Sequence, residues 1–255
     1  MKKECPTPNH NQNGQEPENG PSRWAHSEGS VKGTGLPEGD GALKRRIIRA
    51  YRDPIIMAYC TIRFVIMNMH ILEEIGSQLP DRGSILDVGC GFGLFSLYYA
   101  AQKRGRHITS LDIDAKRIRK AQHAAENLNL GAQIDFMHKG AEDLRGIEGR
   151  FSAAYMLDLM HHLPPALVPL VLGGLHALLD KGGRLVVKDV ATTPFWKKWF
   201  TWLADMAMSP RTPPHYMSVE ACRALLEQVG FEIEAVHSIA DVLPYPHVIY
   251  VCRKA

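Results

Sequence analysis

The run Asp87-Val88-Gly89-Cys90-Gly91-Phe92-Gly93 carries the most pointed chemistry in this 255-residue chain. It follows an apolar stretch (SILDV, 84–88) and opens a helical pattern. Glycines let the backbone turn tightly and approach a ligand closely. The helix start beyond them presents N–H groups to a polar or anionic group. Leu94 stands where a dinucleotide loop would carry its third glycine, and Asp87 precedes the first glycine, a combination that favours a ligand with no pyrophosphate to cradle. Asp112 ends a second apolar run (HITSLDI, 107–113), where a carboxylate can accept hydrogen bonds from a ribose diol, while Asp114 is the better placed to cap the helix that follows. A fourth run ends in Leu157-Asp158-Leu159-Met160-His161-His162-Leu163-Pro164. A histidine there can take a proton from an attacking hydroxyl or amine. Successive positions diverge, so one of His161 and His162 points inward; a packed or helix-capping role is the alternative for both. Asp189, at the end of a fifth run, either orients an acceptor group or caps the strand end.

The elements that must hold these residues alternate. Apolar runs at 84–89, 107–113, 132–137, 152–158 and 183–190 are separated by helical patterns at 94–103, 115–128 and 165–180. Such alternation indicates βαβ units and a mostly parallel sheet, and open sheets of this kind take ligands outside the carboxyl ends of their strands. A further helix has Ser218 as N-cap, Glu220 in its first turn and Gly230 past its end. The last two strands, 231–239 and 247–254, are joined by a loop too short for a crossover helix, so they must pair antiparallel. Upstream, Asp53-Pro54 is an N-cap followed by Pro at the first helical position, and Pro54 to about Leu79 reads as one long helix.

On these residues the chain resembles the class I S-adenosylmethionine-dependent methyltransferases, whose first motif has the form E/D-x-G-x-G-x-G after strand one; ILDVGCGFG matches it throughout. The resemblance covers about residues 84–254. It implies an α/β fold with a Rossmann-like, seven-stranded, mostly parallel sheet, an antiparallel last strand and helices on both faces. It implies S-adenosylmethionine as cofactor, with Asp87, Gly89, Cys90, Gly91 and Gly93 at the methionine end, Asp112 on the ribose and Ile113 on the adenine face. Relatives often carry Gly-Asp-Ala after strand three. This chain reads Lys139-Gly140-Ala141-Glu142-Asp143, so either Glu142 or Asp143 substitutes for the missing acid or backbone at Ala141 reads the adenine. Asp158 to His162 match the fourth motif, which faces the methyl group.

Methyl transfer relies mainly on positioning, so substrate choice should lie in the parts added to the sheet. One is a helical N-terminal cap, 43–80, with Tyr51, Tyr59, Arg63 and Met67. The other is an insertion, 191–217, in which Trp196, Trp199, Phe200 and Leu203 share one helical face. That face either covers an apolar pocket or lies at a membrane interface. Either way the acceptor is small and apolar or aromatic, of lipid, quinone or polyketide type. The remaining divisions are a disordered tail over 1–42, where five Pro and seven Gly leave too few aliphatics to offset ordering entropy, and a methyltransferase domain over 81–255.

Composition narrows the alternatives. The net charge of +3 and the lack of an appended RNA-binding module argue against an RNA methyltransferase, as does Asp-Leu-Met-His where an Asn-Pro-Pro-Tyr-type tetrapeptide would serve exocyclic amines. The glycine spacing argues against a nicotinamide-dependent reductase. A non-catalytic S-adenosylmethionine-binding partner subunit stays open. Five scattered cysteines form neither a CxxC pair nor a metal cluster and suit a reducing compartment. With no uninterrupted apolar span of membrane length, the expectation is a cytoplasmic protein, with peripheral membrane contact as the alternative; the basic Lys44–Arg52 cluster with Tyr51 is first a solvated helix face and otherwise a contact for acidic phospholipid or RNA phosphate.

Overall fold

The structure, a computed structural model, describes residues 39–190, 214–239 and 247–255. Three helices come first: α1 (Asp40–Ala50), α2 (Pro54–Ile66) and α3 (Met69–Gln78). The alternating part follows as β1 (Arg82–Val88), α4 (Leu94–Gln102), β2 (Gly105–Asp112), α5 (Ala115–Asn127), β3 (Ile134–His138), β4 (Phe151–Leu157), α6 (Val168–Leu178) and β5 (Leu179–Val190). The chain closes with α7 (Val219–Val229), β6 (Phe231–Ile239) and β7 (His247–Lys254). The seven strands form one sheet in the order β3-β2-β1-β4-β5-β7-β6. β7 runs antiparallel to both β5 and β6, and the other pairings are parallel. Strand order therefore reverses between β1 and β4, which opens a crevice at their carboxyl ends.

Each strand divides its side chains between two cores with period two. Ile85, Ala153, Tyr155 and Val186 face the side covered by α1 to α5. Leu86, Val88, Ala154, Met156, Leu185 and Val187 face the side covered by α6 and α7. On the first side Tyr98, Tyr99 and Tyr155 stack edge to face with ring centroids 5.3 and 5.7 Å apart. The inner faces of α1, α2 and α3 belong to that same core, so residues 43–79 share their burial with the sheet. Ile56 and Phe64 of α2 each contribute about 2 kcal/mol by leaving water.

The helix expected from Pro54 to Leu79 is two helices, bent by 81° at Met67-Asn68. No Gly or Pro marks the break. Asn68 makes it, because its side chain accepts the Ile71 N–H at 3.1 Å and starts α3 afresh. The other caps lie where the sequence places them: Asp53 accepts from Ile55 and Ile56, Asp114 from Lys116 and Arg117, and Ser218 from Ala221.

Candidate functional site

A cleft lies outside the carboxyl ends of β1, β2, β4 and β5. Its walls include Asp87, Gly89, Cys90, Gly91, Asp112, Asp158, His161, His162 and Lys188, together with Tyr59, Arg63 and Ile66 of α2. Two of the glycines have distinct duties. Gly93 (φ +72°) caps α4 in the left-handed region, and a side chain there would begin 2.6 Å from the Phe136 ring and 2.9 Å from Ala121. Gly91 (φ +59°) has nothing within 4 Å of that point, so it leaves its side of the cleft open. Asp112, at the end of β2, accepts the Gly91 N–H through one oxygen and the Asp114 N–H through the other, both at 2.8 Å. Each oxygen keeps a second lone pair, so the carboxylate, fixed in place, can still accept both hydroxyls of a diol. An open glycine cradle beside a braced carboxylate fits a nucleoside ligand.

Asp87 is buried under this loop. Ser96 donates to it at 2.6 Å and the Tyr155 hydroxyl at 3.0 Å. Burial pushes its pKa up to about 7, against the pull of those two hydrogen bonds. Asp158 sits just past β4 at φ +55°, a strained conformation for a residue with a side chain. Its carboxylate pairs with Arg63 at 2.9 Å and with the buried Lys188 ammonium. Burial opposes its ionisation, but those two cations prevail and hold its pKa well below the usual carboxylate range. The same burial lowers the Lys188 pKa, which the Asp158 charge partly restores.

His161 and Asp189 form a second polar unit, brought together because β4 and β5 are neighbours. The Asp189 carboxylate pairs with His161 Nδ1 and also accepts the His161 N–H at 3.1 Å and the Val190 N–H at 2.7 Å. Both residues are buried, and His161 forms part of the cleft wall. The His161 ring stacks against Tyr216 with centroids 5.5 Å apart and sits 4.1 Å from the His162 ring.

The other sequence-derived site residues lie around this centre. Ile113 is 72% exposed and Ala141 is buried; neither forms the cleft wall. Glu142 is exposed, and its carboxylate folds over Gly140, into the place where a side chain on residue 140 would begin. The missing acid at 140 thus leaves room for the acid at 142. Tyr51 stands behind the cleft: it is buried and its hydroxyl donates to the Phe92 carbonyl at 2.8 Å, bracing the glycine loop. Trp196 and Trp199 lie outside the described residues, as do residues 191–213 of the expected insertion, 1–38 of the tail and the 240–246 loop.

Sequence reasoning gave no role of their own to Phe92, Arg117, Lys188 and His247, all of which wall the cleft. Phe92 packs edge to face on Tyr59 at 5.3 Å, and the Arg117 guanidinium lies 5.7 Å over its ring. Lys188 directly precedes Asp189 and could have been weighed with it. His247 opens β7, and only the β5–β7 pairing, Val190 opposite His247, carries it to the site.

Comparison with known proteins gives three kinds of likeness. A family model described as "Methyltransferase domain" matches residues 62–236. The "Ubiquinone biosynthesis O-methyltransferase" of Xanthomonas axonopodis pv. citri is 30% identical over 130 residues, 50% of this chain and 52% of that protein. This chain therefore spans about half the length of that relative. The "O-methyltransferase rstn1" of Aspergillus nomiae is 30% identical over 176 residues, 67% of this chain and 75% of that protein. Among solved structures, magnesium protoporphyrin IX methyltransferase from Synechocystis PCC 6803, with bound S-adenosylhomocysteine, superposes with a TM-score of 0.60. It is 22% identical and covers 83% of this chain and 94% of its own.

Proposed function

The chain belongs to the methyltransferase domain family, and from that premise we propose that it transfers a methyl group from S-adenosylmethionine to an oxygen of a small apolar or aromatic acceptor. The observation that carries the reading is the cleft itself, which sets the open Gly91 cradle and the Asp112 carboxylate beside the His161–Asp189 pair. Bound there, S-adenosylmethionine supplies a methyl group on a positively charged sulfur. Asp112 holds the ribose hydroxyls, Gly89 to Gly93 give the methionine end a close backbone approach, and Ile113, Ala141 and Glu142 border the adenine. Arg63, Lys188 and Asp158 form a charged wall near the reacting centre, with Asp158 neutralising one of the two cations.

Oxygen as the acceptor atom is supported by the names of both relatives and by the dyad. A hydroxyl must lose its proton as it is methylated. His161, oriented by Asp189 through Nδ1, takes that proton at Nε2, and Asp189 stabilises the resulting imidazolium. His162, its neighbour in the wall, helps position the acceptor. Tyr59, Phe92, Phe95, Leu157 and Leu159 present an apolar and aromatic surface to it. In this reading residues 81–255 are the catalytic domain and 43–80 its cap. We assign acceptor choice to the stretch 191–217, with Trp196 and Trp199, whose residues 191–213 lie outside the described ones. Among the described residues no single helix is long and apolar enough to cross a membrane. We place the protein in the cytoplasm, against a membrane surface that holds apolar acceptors. Its described cysteines, Cys60, Cys90, Cys222 and Cys252, are free thiols, which suits that compartment.

Calorimetric titration with S-adenosylhomocysteine tests the binding half. Wild type binds, and Asp112→Ala binds at least tenfold more weakly, as expected for the loss of charge-assisted hydrogen bonds of about 1.5–3 kcal/mol each. Single-turnover methylation of a catechol or hydroxyquinone probe tests the chemistry. His161→Gln slows it by about 10²–10⁴ and leaves S-adenosylhomocysteine affinity unchanged. Equal binding by wild type and Asp112→Ala refutes the site assignment.

A further inference from the structure

Helix α2 has three faces with three different surroundings. Ile56, Cys60 and Phe64 are buried in the core, while Tyr59, Arg63 and Ile66 face the cleft. The outward face carries Ile55, Ile62 and Val65 at 80%, 57% and 59% exposure, with Ala58 and Thr61 between them also exposed. The only charged residue in the helix, Arg63, is committed to Asp158. Among the described residues no other stretch of helix exposes three large aliphatic side chains along one stripe. Isolated exposed aliphatics are ordinary, whereas a contiguous apolar stripe marks a binding face.

The surroundings say what kind of partner fits. The helix α1 that leads into this face carries exposed Arg45 and Arg49, and exposed Arg52 stands in the turn between the two helices. The nearest acid, Asp53, is already engaged: it caps α2 and pairs with Lys120 at 3.0 Å. An apolar stripe with a basic flank is complementary to an anionic bilayer, where the aliphatics enter the acyl boundary and the arginines meet headgroup phosphates. A second copy docking through the same face would bring like arginine clusters together across a two-fold axis. The helix also has the wrong dimensions for spanning. Its 13 residues extend about 20 Å at 1.5 Å per residue, short of the ~30 Å hydrocarbon core, and α3 turns away by 81°.

We infer that the outward face of α2, with the α1 arginines, seats the protein on an anionic lipid surface, so that the adjoining face of the same helix, with Tyr59, Arg63 and Ile66, opens the cleft beside acceptors dissolved in the bilayer. The supply of acceptor rests on the methyl-transfer reading; the docking does not.

Flotation of the full chain with unilamellar vesicles tests this. Wild type floats with vesicles containing phosphatidylglycerol, floats poorly with pure phosphatidylcholine, and is released by high salt. The exposed-face variant Ile55→Ser/Ile62→Ser/Val65→Ser partitions at least tenfold less, and Arg45→Glu/Arg49→Glu loses the preference for anionic vesicles. A wild type that stays unbound, or a triple variant that floats equally well, overturns the inference. So does a dimer in light scattering that the triple variant abolishes, which would assign the face to a second copy. A benzoylphenylalanine at position 62 that crosslinks to residues 196–203 rather than to lipid would assign it to the chain's own aromatic segment, with the same consequence. Titration of wild type and triple variant with S-adenosylhomocysteine reads the cleft separately: equal affinity shows that lost flotation is a surface effect, affinity lost in the triple variant alone shows that the fold rather than the face was damaged and overturns the flotation argument, and no binding by wild type refutes the methyl-transfer reading while leaving the docking result intact.

Discussion

Asp87 shows how much a single buried group can shift. In an unfolded chain its carboxyl titrates near 3.8, whereas here burial moves it to about 7. Between those values the folded protein keeps a proton that the unfolded chain has released. This contribution to stability is complete below pH ~4 and is lost as the pH rises through 7, a change of about 4 kcal/mol. Asp87→Asn keeps an oxygen to accept from Ser96 and Tyr155 and removes the titration. Urea unfolding from pH 4 to 8 will show wild-type stability falling relative to the variant, with Asp87→Asn the more stable protein at pH 8. Parallel curves would show that Asp87 is ionised throughout. Asp158 behaves in the opposite sense, because Lys188 and Arg63 keep it charged although it too lies largely out of water. Two carboxylates within one cleft thus differ in charge chiefly because one has two cations beside it and the other has none.

The glycine loop and α4 show what an element requires of its residues. Gly91 and Gly93 both adopt positive φ, but their missing side chains face different surroundings. At 93 an added methyl meets Phe136 and Ala121, which belong to β3 and α5 and cannot withdraw without opening the packing. Gly93→Ala will lose about 3 kcal/mol of stability from overpacking and backbone strain, lowering Tm by about 2–4 °C for each kcal/mol. Gly91→Ala meets open space and will lose only about 1 kcal/mol, yet it fills the ligand's side of the loop and will weaken S-adenosylhomocysteine binding the more strongly of the two. Thermal melts and titrations on the pair separate the two roles. Equal melting temperatures would contradict the packing account of Gly93.

For the molecule as a whole, two arginines fasten the leading helices to the sheet. Arg63 reaches from α2 to Asp158 at the cleft. At the far end Arg106, 2% exposed at the start of β2, donates to the carbonyls of Pro80 at 2.8 Å, Tyr99 at 3.2 Å, and Gly76 and Leu79 at 3.3 Å. It adds a donor to the Gly76 carbonyl, which the Leu79 N–H also reaches, and supplies donors at Leu79 and Pro80, where helical pairing runs out. Burial lowers its pKa, and the planar fork of donors recovers the lost hydration. Arg106→Met takes a donor from each of those acceptors, leaving Gly76 only the Leu79 N–H, and will destabilise the protein by about 3 kcal/mol. Arg106→Lys will recover only part of this, because an ammonium cannot reach carbonyls on three elements at once. Denaturant midpoints for the two variants check the order, and a Lys variant as stable as wild type would show that charge alone suffices.

Much of the fold is legible along the chain because it is set by near neighbours. Period-two burial, short apolar runs bounded by glycine, and the caps at Asp53, Asp114 and Ser218 all act over four or five residues. The glycine loop, Asp112 and the Asp158–His162 run are likewise visible, since each closes a strand whose end faces the crevice. The break at Asn68 is not, because one amide cap overrides a helical pattern only once α3 has its own burial to satisfy. Nor are the partnerships within the site. Arg63 and Asp158 lie 95 residues apart, His161 and Asp189 28, and β7 brings His247 in from the end of the chain. Residue types and local spacing thus decide which elements form and which groups are offered to the crevice. Which of those groups meet, and therefore which carboxyl is charged and which histidine is oriented, is decided by strand order and helix packing, because desolvation and Coulomb interaction depend on distances that exist only once the chain has folded.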